Sequence, residues 1–260
     1  MSLNIRTPIV TKILHGLNHR QEEAAESLIG ETLVIAGAGS GKTAVLTRRC
    51  AMLIANGAIP GSVLSLTFTN KAAAEMNQRI RKLLEEIGIF LPFIPSWRQD
   101  YVSAPLFCTF HSLGVRLLRE FGEIINLKND FTILDSDDQG KVIKQILKDL
   151  NIDTKTLQPS LASYFISQCK QESLMAKDSN KLAKEFIPTF HQIYARYEAQ
   201  LKTLQVVDFD DLILLPTQIL KTSLEARTTC QNRWQHIQID EFQDTNSAQF
   251  ELVKLLYPAS

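Results

Sequence analysis

Short apolar runs and longer amphipathic stretches alternate through the first part of the chain. Residues 33–35 (Leu-Val-Ile) form a brief apolar run that predicts a buried strand, and residues 44–54 repeat apolar positions at helical spacing. Between them lies a turn of small residues, 36–43, reading Ala-Gly-Ala-Gly-Ser-Gly-Lys-Thr. The theme recurs downstream. Residues 62–68 alternate as a strand does, and 71–86 carry a helical stripe behind Thr69 and Asn70, which suit an N-cap. Residues 105–110 predict another short strand, and His111 begins a helix that runs to Phe121. Ahead of all these, 17–28 predict a helix in which Asn18 and Gln21 have capping-box spacing. Repeated strand-then-helix units predict an α/β domain built on a parallel sheet.

The pattern changes in the middle. Residues 87–104 hold Phe90, Pro92, Phe93, Pro95 and Trp97 without a clear period, and read as a long surface loop. Residues 131–204 then give helix after helix and no strand. A capping box at Ser136-Asp137-Asp138-Gln139 precedes 141–150, Pro159 opens 159–172, and 181–204 bends near Pro188. This block looks like an insertion into the α/β domain. The α/β pattern resumes with a helix at 208–220, kinked by Pro216. Asp208, Asp210 and Asp211 crowd its start, where the helix dipole favours them without any metal. Residues 236–240 predict a strand running into Asp240-Glu241-Phe242-Gln243-Asp244-Thr245-Asn246, and 249–257 a last helix.

Composition narrows the classes. The chain has 260 residues, 45% apolar and 22% charged, which suits one large or two ordinary globular domains. Lys plus Arg total 28 and Asp plus Glu total 28, so any nucleic-acid binding must come from a local surface rather than net charge. Cys50, Cys108, Cys169 and Cys230 are far apart, which argues against zinc or a disulfide framework and for a reducing compartment. No apolar run reaches membrane-spanning length and the N-terminus lacks a secretory layout, so a cytoplasmic location with no membrane partner is expected.

The turn at 36–43 carries the chemistry. Set between a strand and a helix, it has the layout of a phosphate-binding loop, with Ala36 where the first glycine usually stands. Backbone N–H groups from Ala38, Gly39, Ser40 and Gly41, with the helix N-terminus behind them, would cradle anionic oxygens. Lys42 would reach the outer phosphates, and the Thr43 hydroxyl would hold Mg²⁺. A strand ending in two acids is what such a loop needs opposite it: Asp240 for the metal, Glu241 to orient or deprotonate water. Other residues stay ambiguous on their own. Gln21 caps a helix, Asn70 caps another, His111 suits a structural hydrogen bond, and Phe68 is a strand-end aromatic that is usually core.

Six stretches in order resolve part of that ambiguity. Gln21 within Leu-Asn-His-Arg-Gln, the loop 36–43, residues 67–76 (Thr-Phe-Thr-Asn-Lys-Ala-Ala-Ala-Glu-Met) and 109–112 (Thr-Phe-His-Ser) are four of them. Residues 207–212 (Val-Asp-Phe-Asp-Asp-Leu) and 240–246 complete the set. Together they resemble the motifs of UvrD/Rep-type superfamily 1 DNA helicases, and 207–216 looks most like the Rep branch. The resemblance implies a RecA-like parallel α/β domain made of 1–115 and 203–260, with a helical domain, 116–202, inserted over the DNA path. It implies ATP and Mg²⁺, and single-stranded DNA and duplex junctions as partners, in a 3′-to-5′ helicase or translocase. Gln21 would then read the adenine, and Gly41, Lys42 and Thr43 would bind phosphates and Mg²⁺. Asp240 would sit at the metal, Glu241 would act as base, and Gln243 would couple nucleotide state to DNA. Phe68, Asn70, Phe110 and His111 would line the single-stranded DNA path, with Phe68 stacking a base and Lys71 and Arg79 meeting phosphates.

Departures from the family pattern qualify those roles. Ala44 replaces an arginine that commonly follows Gly-Lys-Thr, Cys108 replaces a glycine, and 87–104 is longer than usual. The chain stops at Ser260, short of the next family motif and of a second RecA-like domain. That domain would supply arginine fingers, each typically worth about 10³–10⁵ in rate. The expectation is therefore weak nucleotide binding, very slow hydrolysis and no unwinding by this piece alone. Two alternatives remain at this stage: a non-catalytic module that binds single-stranded DNA or a partner, and a P-loop ATPase of another kind that binds no DNA. The sequence leaves open which replication or repair proteins would be partners.

Overall fold

A computed structural model describes residues 7–37, 39–92, 103–182 and 189–257. Ala38, the Phe93–Trp97 part of the aromatic loop and the expected bend at Pro188 lie outside the described residues. The chain runs α1 (Pro8–Leu14), α2 (His19–Glu26), α3 (Lys42–Ala55), β1 (Val63–Thr67), α4 (Asn70–Glu86), β2 (Leu106–Thr109) and α5 (Phe110–Phe121). It continues β3 (Thr132–Ile133), α6 (Ser136–Asp149), α7 (Pro159–Gln171), α8 (Thr189–Leu204) and β4 (Val206–Val207). Last come α9 (Asp211–Thr222), α10 (Leu224–Arg233), β5 (His236–Ile239) and α11 (Ser247–Leu256). Two compact units emerge: 7–109 with Gln231–Gln243, and Phe110–Cys230 with Asp244–Tyr257.

The first unit is built on a parallel sheet in the order β2-β1-β5. β1 is central and wholly buried, Ser65 and Thr67 included, as befits a strand covered on both faces. Leu64 sits opposite Leu106 on one side and Ile237 on the other, so β2 ends level with Thr67 and β5 level with Leu66. Helix α4 supplies a stripe of Ala73, Met76, Ile80, Leu83 and Leu84, and α3 adds Val45, Cys50 and Leu53 to the same apolar cluster. Asn70 proves to be the first helical residue of α4; the cap is Thr69, whose hydroxyl accepts the Ala72 N–H at 3.1 Å.

One expected strand does not form. Residues 33–35 take no regular structure, and Leu33 (71% exposed) and Ile35 (89%) lie open. An apolar run becomes a strand only where a neighbour satisfies its backbone, and residues 33–35 join neither β1 nor the edge strands β2 and β5.

The second unit is mostly helical. Ile143, Leu147, Phe165, Ile166, Phe190, Ile193 and Tyr194 from α6, α7 and α8 make its main apolar cluster. The expectation of no strand in 131–204 fails at one point: β3 pairs in parallel with β4, Thr132 opposite Val206. A two-residue ladder is too short to leave a period in the sequence. The cap of α6 is Asp135, which accepts the Asp138 N–H at 2.8 Å, one residue before the expected box. Helix α10 was not expected because it buries only Ala226 and Cys230 and so carries almost no stripe. No helix among the described residues is long and apolar enough to cross a membrane.

Candidate active site

In the first unit the loop between residue 36 and α3 uses two left-handed glycines, Gly39 (φ 73) and Gly41 (φ 86). Gly41 is the N-cap of α3 and offers no side chain, so the first-turn N–H groups have no side-chain acceptor from the cap. A Cβ at Gly41 would also lie 2.8 Å from the Gln21 amide nitrogen and push that side chain aside, while the positive φ is what calls for glycine.

Gln21 is held on both sides. Its Oε1 accepts the Asn18 N–H at 2.8 Å while Asn18 Oδ1 accepts the Gln21 N–H at 3.0 Å, a complete capping box. Its Nε2 donates to the Ser40 carbonyl at 2.8 Å, tying α2 to the loop. Lys42 folds back over the same loop and donates to the Ala36 and Gly37 carbonyls at 3.1 and 3.2 Å. Its ammonium stands 3.9 Å from Glu241 Oε2.

Asp240 extends β5, its N–H donating to the Leu66 carbonyl at 2.8 Å. Its carboxylate is buried, with the Thr43 side chain near enough to favour its charged form. Burial and the neighbouring Glu241 charge raise its pKa, against the opposing pull of Lys42 and Thr43. Glu241 takes a left-handed backbone, φ 51, unusual for a residue with a side chain. That turn leaves its carboxylate 41% exposed, where Gln243 Nε2 donates to it at 2.6 Å. Lys42, Thr43, Asp240, Glu241 and Gln243 thus form one connected group, bridged to Gln21 through the loop.

The residues expected along a DNA path divide between the units. Phe68 (half-buried), Asn70 and Lys71 (both exposed) belong to the first, at the end of β1 and the start of α4. Arg79, the other expected phosphate contact, pairs with Glu75 one turn back on α4. Phe110 and His111 open α5 in the second unit, where Phe110 is buried and His111 half-buried.

His111 stacks on Phe209, ring centroids 3.8 Å apart and planes 20° from parallel. Burial pushes the His111 pKa down to about 4, so its ring is neutral at pH 7. Phe209 is 59% exposed and was not among the expected contacts. An exposed aromatic between two acids at a helix start was the signal that could have found it.

The acids around Phe209 do not merely decorate a helix dipole, as their position suggested. Asp208 and Asp211 are buried and share Lys170, each with an oxygen 2.6 Å from its ammonium. Lys170 falls on the buried stripe of α7 with Ala162, Phe165, Ile166 and Cys169, and a cation on an apolar stripe was the available clue.

Comparison with known proteins matches the model of the UvrD/REP helicase N-terminal domain over residues 17–260. The chain belongs to the UvrD/Rep helicase family. Among curated relatives, the ATP-dependent DNA helicase PcrA of Leuconostoc citreum is 40% identical over 249 residues, covering 95% of this chain and 32% of the relative. PcrA of Staphylococcus aureus strain Mu50 is 40% identical over 246 residues, covering 94% and 32%. PcrA of Staphylococcus epidermidis is 39% identical over 246 residues with the same coverage. This UvrD/Rep-family chain therefore spans about a third of the length of the curated relatives it matches.

Proposed function

We propose that the chain is the ATP- and single-stranded-DNA-binding portion of an ATP-dependent helicase or translocase of 3′-to-5′ polarity. In this reading 1–115 and 203–260 form a RecA-like domain and 116–202 an inserted helical domain. The observation that carries it is the connected group Lys42–Thr43–Asp240–Glu241. A phosphate loop and a strand-end acid pair, about 200 residues apart in sequence, meet where the Lys42 ammonium stands 3.9 Å from Glu241.

The residues fit Mg-ATP. Hydroxyl and carboxylate oxygens are the ligands a hard cation takes, and Thr43 and Asp240 would hold Mg²⁺. When bound, the metal would neutralise charge developing on the phosphates. Lys42 exchanges the Ala36 and Gly37 carbonyls for phosphate oxygens, a gain in charge-assisted bonding. Gly39, Ser40, Gly41 and, by sequence, Ala38 present the loop's N–H groups. Gln21 turns its amide from the Ser40 carbonyl toward the adenine edge. Glu241, exposed and pointed by its left-handed backbone, orients the attacking water and takes its proton. Gln243, bonded to Glu241, relays whether that carboxylate is engaged.

Phe68 supplies one stacking surface for a base and the exposed face of Phe209 on His111 another. Asn70 and Lys71 hold backbone, and Phe110 backs the turn from inside. Neutral His111 contributes a flat ring rather than a charge. Single-stranded and junction DNA is the substrate, and the PcrA relatives' printed activity is carried to this chain on that basis.

Titration with a fluorescent ATP analogue and Mg²⁺ tests the nucleotide site. Lys42→Ala should weaken binding about 10- to 100-fold, the loss of a charge-assisted contact; equal affinity would remove Lys42 from the site. Labelled single-stranded DNA titrated into wild type and Phe68→Ala tests the second half, and binding by neither would leave an ATPase without DNA.

A further inference from the structure

Phe209 stands on a short turn whose conformation is over-determined from beneath. Asp208 Oδ1 accepts the Asp211 N–H at 2.9 Å and Asp211 Oδ2 accepts the Asp208 N–H at 3.2 Å, so the two acids close the turn reciprocally. The remaining oxygens face inward. Asp208 Oδ2 accepts from Lys170 at 2.6 Å, from the Tyr197 hydroxyl at 2.9 Å and from Gln139 Nε2 at 3.3 Å. Asp211 Oδ1 meets the same ammonium at 2.6 Å. Ser163 fixes Gln139 in turn, its hydroxyl donating to Oε1 at 3.0 Å. Helices α6, α7 and α8 thus converge on the turn that opens α9, and among the described residues Lys170 is the cation that grips both acids.

Such a cluster is expensive to bury, and a hydrophobic substitute would hold the helices together at least as well. A point cation between two carboxylates does something apolar packing cannot: it fixes the rotation of both acids, hence the backbone between them. That backbone carries Phe209, whose ring leans on His111.

We propose that Lys170 is a positioning residue for single-stranded DNA binding, clamping Asp208 and Asp211 so that Phe209 is presented flat on His111 to a base. The proposal rests on the reading that this stack is part of the DNA surface. Lys170 itself is 1% exposed and so out of reach from the surface. Its effect passes through the turn.

The test uses the 260-residue chain and two readouts. The first is the NMR shift of the His111 ring protons, which the Phe209 ring current displaces upfield, with Phe209→Ala as the unstacked reference. The second is affinity for labelled single-stranded DNA. Two variants are read: Lys170→Arg, which keeps charge but not a point ammonium, and the uncharged K170M/D208N/D211N, whose asparagines still accept the turn's N–H groups. Expected in both are His111 shifts displaced toward the Phe209→Ala values and DNA binding weaker by roughly 5- to 20-fold, the scale of part of a base stack. Adding Phe209→Ala to either should cost nothing more, and affinity for a fluorescent ATP analogue should not change.

Wild-type His111 shifts in a folded variant would overturn the clamp, as would losses that multiply with Phe209→Ala or a parallel loss of nucleotide binding. Unchanged DNA affinity in Phe209→Ala alone would instead overturn the DNA role of the stack, while the His111 shifts would still decide whether Lys170 sets it.

Discussion

Replacing Gly114 by alanine tests how α5 and α9 meet. An ideal Cβ at position 114 falls 1.7 Å from the Leu212 carbonyl oxygen and 2.7 Å from its carbon. Ordinary contact would require the two backbones to part by about 1.3–1.7 Å. The carbonyl is there for a reason. Pro216 stands four residues after Leu212 and has no N–H to offer it, and its ring pushes that carbonyl outward. Overpacking costs about 1–3 kcal/mol, and a backbone obstacle that cannot rotate away belongs at the upper end or beyond. Alanine's better helix propensity offsets about 1 kcal/mol, leaving a net loss of about 2–3 kcal/mol and a melting point lower by about 5–10 °C. Gly140, inside α6 with nothing within 4 Å of a built Cβ, is the control. Gly140→Ala should gain about 0.5–1 kcal/mol. Calorimetric melts of both variants beside wild type decide the matter. Gly114→Ala melting at or above wild type would refute the packing argument, since the same chemical change would then act alike at both sites. His111 lies one turn ahead of Gly114, so the variant should also weaken the His111–Phe209 stack.

Three further outcomes can be checked directly. The His111 ring should titrate near pH 4 by NMR, so its contribution to stability is whole above about pH 6.5 and lost as pH falls toward 4; a midpoint at 6.5 would mean that the ring is not desolvated. Burial raises the Asp211 pKa, Lys170 opposing and Asp208 adding, so stability from this group falls as pH rises above the ordinary carboxylate range. Asp211→Asn should flatten that slope in pH-dependent urea melts, and an unaltered slope would contradict the shift. Glu241→Gly should raise stability by about 1 kcal/mol by releasing a left-handed backbone while abolishing any ATPase activity; a lower melting point would show that the turn is not strained.

Much of the fold was legible because its signals are local. Small residues ending in Lys-Thr, Thr69 before an amphipathic stripe, and two acids at the tip of an apolar run each name their own element. The capping role of Gln21 was equally plain, and it turns out to coexist with a bond to the phosphate loop. Residues 33–35 misled because a strand is defined by its neighbours and no period can supply one. The acids at 208–211 misled for the opposite reason. A helix dipole explains them fully within ten residues of sequence, whereas their partner lies 38 positions away from Asp208, on another helix. Gly114 left no trace at all, since its meaning depends on the proline of α9.

The left-handed turn at Glu241 has a consequence for anyone redesigning this chain. A procedure that rewards only melting temperature would exchange Glu241 for glycine or asparagine, the residues such a backbone prefers. It would likewise trade the Lys170 cluster for leucines and methionines. The result would be a sturdier molecule that had lost both the carboxylate proposed to handle water and the shape of its aromatic face.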